Sequence, residues 1–179
     1  SEREKLEKVL EEARREIERL AEENRRSLDR ARKEVKRLID NNRKSLDDVR
    51  KRVDKLVKDI SDDERLIREL ERVVKDIEEL VRDSERKARE MVKRVERLVR
   101  ESIRRLEDVV RRLEDLVRKG GDDVEKLVEE LKKVLDDVRK ESERVNRTLK
   151  KLLEDIERLS REVNKRIKEM VRKATEDVR

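Results

Sequence analysis

Apolar residues recur along this chain at steps of three and four, and the pattern repeats every eighteen residues. Steps of this size place side chains on one face of an α-helix. Because eighteen residues make five turns of about 3.6 residues each, the repeat predicts nearly straight helices, without the supercoil that a strict seven-residue repeat imposes. In the first third of the chain this face consists of Leu6, Leu10, Ala13, Ile17, Leu20, Asn24, Leu28, Ala31, Val35, Leu38, Asn42, Leu46, Val49, Val53, Leu56 and Ile60.

The same face appears twice more, which predicts three helices at about 2–60, 62–118 and 122–178. After Ile60 the pattern resumes near Leu66 out of phase with the first helix, so a turn must intervene. The second face consists of Leu66, Leu70, Val73, Ile77, Leu80, Ser84, Ala88, Met91, Val95, Leu98, Ser102, Leu106, Val109, Leu113 and Leu116. The third consists of Val124, Val128, Leu131, Leu135, Val138, Ser142, Asn146, Leu149, Leu153, Ile156, Ser160, Asn164, Ile167, Val171, Ala174 and Val178.

Local signals mark the predicted helix ends. A serine followed three residues later by glutamate is the pattern of a capping box, aspartate serves the same position, and glycine ends helices. The sequence Asp40, Asn41, Asn42 resembles a loop, but the eighteen-residue pattern runs through it, so the first helix is expected to continue. The predicted ends are Ser1 with Glu4, Ser61 with Glu64, the only two glycines Gly120 and Gly121, and Asp122 with Glu125.

The width of the apolar faces predicts how the helices pack. Each face covers roughly 120 to 140° of the helix, which suits three helices around one core. Short connections make neighbouring helices antiparallel. The sequence therefore predicts an all-α fold, a single-chain antiparallel up-down-up three-helix bundle forming one domain over 1–179. The faces are widened by Val9, Val74, Val92, Val110, Val134 and Leu152.

Five pairs of small polar residues interrupt these faces at the same eighteen-residue interval. Folding the chain at the predicted turns brings them to two levels, so we expect two buried polar layers, each with five members from three helices. Asn and Ser both donate and accept hydrogen bonds, and such layers would fix helix register because a slip leaves polar groups against Leu or Val. The first layer is Asn24, Ser27, Ser102, Ser142 and Asn146; the second is Asn42, Ser45, Ser84, Ser160 and Asn164.

The alternative for these layers is a polar pocket for a small ligand or a metal. Asn and Ser are poor metal ligands, and the chain has no His or Cys. A serine nucleophile also needs a base and an orienting group, which only exposed Lys or carboxylates could supply. Acidic pairs such as Glu11 with Glu12 and Asp47 with Asp48 are read as solvated surface. We therefore expect no catalytic residue, no metal site, no cofactor and no enzymatic activity.

Composition limits the remaining functions. Charged residues make up 58% of the chain, aromatic residues are absent, and the net charge is +6. No run of apolar residues could span a membrane or serve as a signal peptide, so a soluble chain without a targeting signal is expected, of unknown location. A basic segment could contact phosphates electrostatically, but acidic residues interrupt it and no aromatic residue can stack on bases. Its members are Arg30, Arg32, Lys33, Lys36 and Arg37.

The chain resembles de novo designed helical bundles with built-in hydrogen-bond networks. The features that carry the resemblance are the eighteen-residue repeat, the capping signals, the Gly120 and Gly121 turn, the aromatic-free core and the paired Asn/Ser positions. The resemblance covers the entire chain and is one of style, so it transfers no functional residues. It implies a structural scaffold without natural activity, which we expect to be a monomer. The alternatives are an interaction module that self-associates or accepts a further helix, and, more remotely, an electrostatic binder of anions or nucleic acid.

Overall fold

Three long α-helices make up almost all of the described chain. The computed structural model describes residues 1–120 and 123–178, with side chains described through Glu176. Helix α1 runs over Glu2–Asp59, α2 over Glu64–Lys119 and α3 over Val124–Val178, and no strand occurs among these residues. The predicted all-α class is confirmed, and the helix contacts fit a three-helix bundle.

The start of α1 is capped as the sequence predicts. The backbone N–H of Glu4 donates to Ser1 Oγ at 3.3 Å, and the backbone nitrogen of Ser1 donates to Glu4 Oε2 at 3.5 Å. These reciprocal bonds form a capping box. Helix α1 also continues through Asn41 and Asn42, as expected from the repeat.

The cap of α2 differs from the prediction. The backbone N–H of Asp63 donates to the carbonyl of Ile60 at 3.0 Å, which closes a tight turn around Ser61. The helix therefore begins at Glu64, two residues later than predicted, and Asp63 Oδ1 accepts from the N–H of Leu66 at 3.2 Å. Ser61 is a turn residue, and the capping position belongs to Asp63.

The connection between α2 and α3 begins at a glycine in the left-handed region. Gly120 has a φ of 37°, and its N–H donates to the carbonyl of Leu116 at 3.3 Å. A residue with a side chain is strained at this φ, so glycine is favoured there. Helix α3 is capped by Asp123, whose Oδ1 accepts from the N–H of Lys126 at 3.2 Å. The predicted roles of Gly121 and Asp122 lie outside the described residues.

Packing contacts group the residues into two compact units, each with segments of all three helices. Unit 1 comprises Ser1–Arg30 and Arg94–Leu152, and unit 2 comprises Ala31–Lys93 and Leu153–Arg179. The first predicted polar layer falls entirely in unit 1, and the second entirely in unit 2. The expectation of one domain stays a prediction.

Each unit has its own apolar core drawn from the predicted faces. In unit 1 the core is completed by half-buried residues close to the α2–α3 connection, including Leu116, Val124 and Leu127. The buried members in unit 1 include Leu6, Leu10, Ala13, Ile17, Leu20, Leu106, Leu113, Leu131 and Val138. Those in unit 2 include Leu46, Val49, Val53, Leu70, Ile77, Val81, Val163 and Ile167.

Contacts inside each unit show that α1 and α2 are antiparallel. In unit 2, Arg43 pairs with Glu85, and Arg50, further along α1, pairs with Glu78, which lies earlier in α2. In unit 1 the same order holds, because Arg14 pairs with Glu114 whereas Asn24 contacts Ser102. Residue numbers rise along one helix as they fall along the other.

The buried faces of α2 and α3 are rotated slightly from the predicted ones. In α2, Val81 and Val99 are buried, whereas the predicted Leu80 and Leu98 are half-buried. In α3 the buried positions include residues beside the predicted line, Leu152 and Val163, which have a larger apolar surface than the Ser and Asn nearby. In α3, burial of these larger apolar side chains favours the observed rotation. This rotation decides which polar side chains enter the core.

Candidate functional site

The unit 1 layer contains a direct hydrogen bond between α1 and α2. Asn24 Nδ2 donates to Ser102 Oγ at 2.6 Å. Asn24 is fully buried and Ser102 is 6% exposed, so the bond lies away from water. The apolar neighbours Leu20, Ala21 and Leu106 are also buried. The result is a polar contact set inside an apolar core.

The unit 2 layer repeats this contact and extends it. Asn42 Nδ2 donates to Ser84 Oγ at 2.9 Å, and Ser84 Oγ donates to the backbone carbonyl of Val81 at 2.8 Å. The single proton of the Ser84 hydroxyl is therefore committed to its own helix, which leaves the oxygen as an acceptor for Asn42. This relay fixes the orientation of the Asn42 amide.

The other predicted layer members do not join these bonds. Ser27 Oγ donates to the carbonyl of Glu23 in its own helix at 3.1 Å. Ser142 is buried, and its hydroxyl forms no hydrogen bond with the residues that the structure describes. The remaining four are half-buried, and in the described structure their side chains form no hydrogen bond: Ser45, Asn146, Ser160 and Asn164. The structure thus brings together one Asn and one Ser in each layer.

Three buried polar atoms have no hydrogen-bond partner among the described residues. They are Oδ1 of Asn24, Oδ1 of Asn42 and Oγ of Ser142. Leaving a buried polar atom unpaired costs about 1 to 3 kcal/mol. Each layer therefore contains at least one atom that destabilises the folded chain. Two of the three atoms belong to unit 1.

A charged cluster at the edge of unit 1 links α1 to α3. Glu16 accepts hydrogen bonds from Arg19 at 2.6 Å and from Arg139 of α3 at 3.4 Å. The hydrogen bond from Arg19, with the positive charges of Arg19 and Arg139, lowers the pKa of the Glu16 carboxyl below its ordinary value, although partial burial opposes the shift. Glu16 is thus better stabilised as a carboxylate in the folded chain.

This pKa shift predicts a pH-dependent effect of Glu16→Gln. The substitution should lower the free energy of unfolding by about 0.5 to 1 kcal/mol at pH 7, because the ion pairs are partly exposed. A carboxylate with a lowered folded pKa contributes stability above its unfolded pKa of about 4.3, and loses it as the pH falls through the folded value. Urea denaturation at several pH values should show the difference disappear in acid.

Glu18→Gln is the matched control for that measurement. Glu18 is exposed on the same helix and forms no hydrogen bond or ion pair in the described structure. Its substitution should change the free energy of unfolding little at any pH. An equal loss in the two variants, or a Glu16→Gln loss that persists in strong acid, would contradict the role of the cluster.

Further ion pairs cross between helices, and the sequence analysis did not identify them. Glu114, Glu85 and Glu78 of α2 pair with arginines of α1, and Arg105 of α2 pairs with Glu141 of α3. The charge pattern alone is dominated by pairs within one helix, such as Glu11 with Arg15 at 3.1 Å. These pairs could have been predicted from the antiparallel register, because it places the Arg and Glu residues of neighbouring helices at the same level along the axis.

The residues considered for other chemistry lie on the surface. The basic segment Arg30, Arg32, Lys33, Lys36 and Arg37 is exposed, and Arg37 pairs with Glu34 at 3.8 Å. Among the described residues, no group of three or more acidic side chains is placed to hold a metal ion.

A surface groove of unit 1 runs between α1 and α2. It has a volume of about 630 Å³, and its edges carry Glu and Arg side chains. The apolar part is lined by Ile17, Ala21, Ile103, Leu106 and Val110. The groove therefore offers apolar surface between charges of both signs, and its lining contains no hydroxyl, thiol or amine nucleophile.

No helix in the described part of the chain has an apolar stretch long enough to cross a membrane. The buried Asn–Ser pairs are the most distinctive polar feature of the two units. Comparison of the chain with protein-family models, with curated proteins and with solved structures found no match.

Proposed function

We propose that this chain is a structural scaffold in which the Asn24–Ser102 and Asn42–Ser84 pairs set the register of α1 against α2. The observation that supports this most directly is that each pair joins the two helices inside an apolar core. A slip of either helix by one turn would separate the partners and place their polar groups against apolar side chains. The pairs therefore favour one register at some expense of stability.

The distribution of apolar side chains agrees with a scaffold. Among the described residues, no large hydrophobic side chain is exposed. Extended exposed apolar patches usually mark binding surfaces for other proteins. A chain that covers its apolar faces with its own helices requires no partner, and we propose that it is a monomer without enzymatic activity or a specific nucleic-acid partner.

We also propose that the chain originated by design. Support comes from the sequence itself: one eighteen-residue interval sets both the apolar faces and the spacing of the Asn and Ser residues in α1, α2 and α3. Asn24 and Asn42 also form the same contact, since each is fully buried and each donates to a serine of α2. A copied module accounts for this repetition.

The register proposal predicts the behaviour of a variant in which both pairs become apolar. The variant combines Asn24→Leu, Ser102→Ala, Asn42→Leu and Ser84→Ala. Its free energy of unfolding should be equal or higher, because both members of each pair become apolar together and neither is left without the other. The variant should also populate more than one register. Pulsed electron paramagnetic resonance distances between spin labels at exposed Glu12 and Arg97 should broaden, since these sites lie at different levels along the helices and a one-turn slip moves one label along the axis by about 5.4 Å.

Ser27→Ala with Ser45→Ala is the control for this variant. These serines belong to the same predicted layers, but the Ser27 hydroxyl bonds its own helix and neither joins α1 to α2. The control should keep a single narrow distance. A single narrow distance in the four-residue variant as well would show that the apolar core alone sets the register, and the proposal would be wrong.

A further inference from the structure

Two buried polar atoms of unit 1 remain without a partner, and they lie in the same layer. Asn24 uses its Nδ2 for the bond to Ser102, whereas its Oδ1 accepts no hydrogen bond from the described residues. Ser142 of α3 is 3% exposed, and its hydroxyl oxygen is also unpaired. Native cores pair almost all of their buried polar atoms, often through an internal water molecule.

Contacts between the helices place Ser142 at the level of the Asn24–Ser102 bond. Arg105, about one turn from Ser102 in α2, forms an ion pair with Glu141, which immediately precedes Ser142 in α3. The three side chains of Asn24, Ser102 and Ser142 therefore lie within about one helical turn along the axis. One acceptor and one hydroxyl face the interior of unit 1 at this level.

We propose that the unit 1 layer is a binding site for one internal water molecule. The water donates one hydrogen to Asn24 Oδ1 and forms a second hydrogen bond with Ser142 Oγ, which can act as donor or acceptor. Water matches this chemistry because it supplies two donors and two acceptors in a small volume. An ion does not match, because Asn24, Ser102 and Ser142 carry no charge to balance it.

The unit 2 layer provides an internal comparison. There Asn42 Oδ1 is the one buried polar atom without a partner among the described residues, and the α3 residues Ser160 and Asn164 are half-buried. A buried water usually needs two to four polar partners, so this layer does not hold a long-lived one. The proposed water site involves the same residues as the proposed function and rests on that layer being buried, but it does not require the layer to set the register.

Oxygen-17 magnetic relaxation dispersion of the full chain tests this site, because it detects waters that stay bound longer than the protein takes to tumble. The expected result is one long-lived water per chain. Ser142→Ala should abolish its contribution by removing one of its two partners. Ser27→Ala and Ser160→Ala should retain it, since these serines belong to the layers but do not contact the proposed water.

Three results would overturn the inference: no long-lived water in the unsubstituted chain, an unchanged signal in Ser142→Ala, or a direct hydrogen bond between Ser142 Oγ and Asn24 Oδ1 in a high-resolution crystal structure. If Ser142→Ala does not fold, cross-relaxation between water and the Asn24 amide protons of the unsubstituted chain decides the question. Its presence supports the site and its absence contradicts it. The Glu12–Arg97 distance should be unchanged in Ser142→Ala, so loss of the water is distinguishable from loss of register.

Discussion

Asn42→Asp should destabilise the chain by about 3 to 4 kcal/mol at pH 7, although it changes only an amide into a carboxyl group. Asn42 is fully buried, and the side chain it hydrogen-bonds, Ser84, carries no positive charge that could balance a carboxylate. A buried carboxyl group in this environment has a raised pKa, because desolvation disfavours its charged form. The loss should therefore be absent below about pH 4, where folded and unfolded chains are both protonated, and grow as the pH rises.

Asn41→Asp provides a closely matched control. Asn41 precedes Asn42 in the same helix and is exposed. The same chemical change there should alter the free energy of unfolding by less than about 0.5 kcal/mol. Urea denaturation followed by circular dichroism at pH 4 and pH 7 compares the two variants directly. Equal effects, or an Asn42→Asp loss that does not depend on pH, would show that position 42 is accessible to water.

Leu113→Ala should lower the free energy of unfolding by about 3 to 4 kcal/mol. Leu113 is fully buried in the unit 1 core, close to the α2–α3 connection. Removing its side chain takes away buried apolar surface and leaves a cavity that helices of this regularity can fill only by moving. Chemical denaturation of the variant measures the loss.

Leu116→Ala tests whether that effect depends on burial. Leu116 lies one turn later in α2 and is half-buried against the same core. Since part of its side chain already contacts water, the expected loss is about 1 to 2 kcal/mol. A loss at Leu116 equal to that at Leu113 would mean that the unit 1 core is packed differently from the structure described.

The burial of Asn24 and Asn42 could be predicted because it depends only on periodicity within α1. Both lie on a line whose positions before and after them are apolar, so any packing of that face buries them. The environments of Ser160 and Asn164 could not be predicted in the same way. They depend on the rotation of α3, which is decided by competition between adjacent positions such as Val163 and Asn164, and level counting along the axis contains no information about rotation.

The helix caps show a similar limit. Ser1 and Glu4 form the predicted box because both of its hydrogen bonds lie within the first turn of α1 and need no contact with another helix. At Ser61 the chain must reverse, and the hydrogen bond from the N–H of Asp63 to the carbonyl of Ile60 closes a turn that contains Ser61. Ser61 therefore does not cap α2. The acidic residue next in line then takes the capping position. The sequence pattern therefore predicts the region in which α2 begins, whereas the geometry of the turn determines which residue caps it.

The positions of the two Asn–Ser pairs also bear on the order in which the chain folds. Asn42 and Ser84 are separated by 42 residues along the chain, whereas Asn24 and Ser102 are separated by 78. Closing the shorter loop costs less entropy, so the Asn42–Ser84 contact is favoured to form earlier. If α1 and α2 first pair in the wrong register, Asn42 and Ser84 are left unpaired while few other residues are ordered. Such a hairpin can dissociate before the Asn24–Ser102 contact forms.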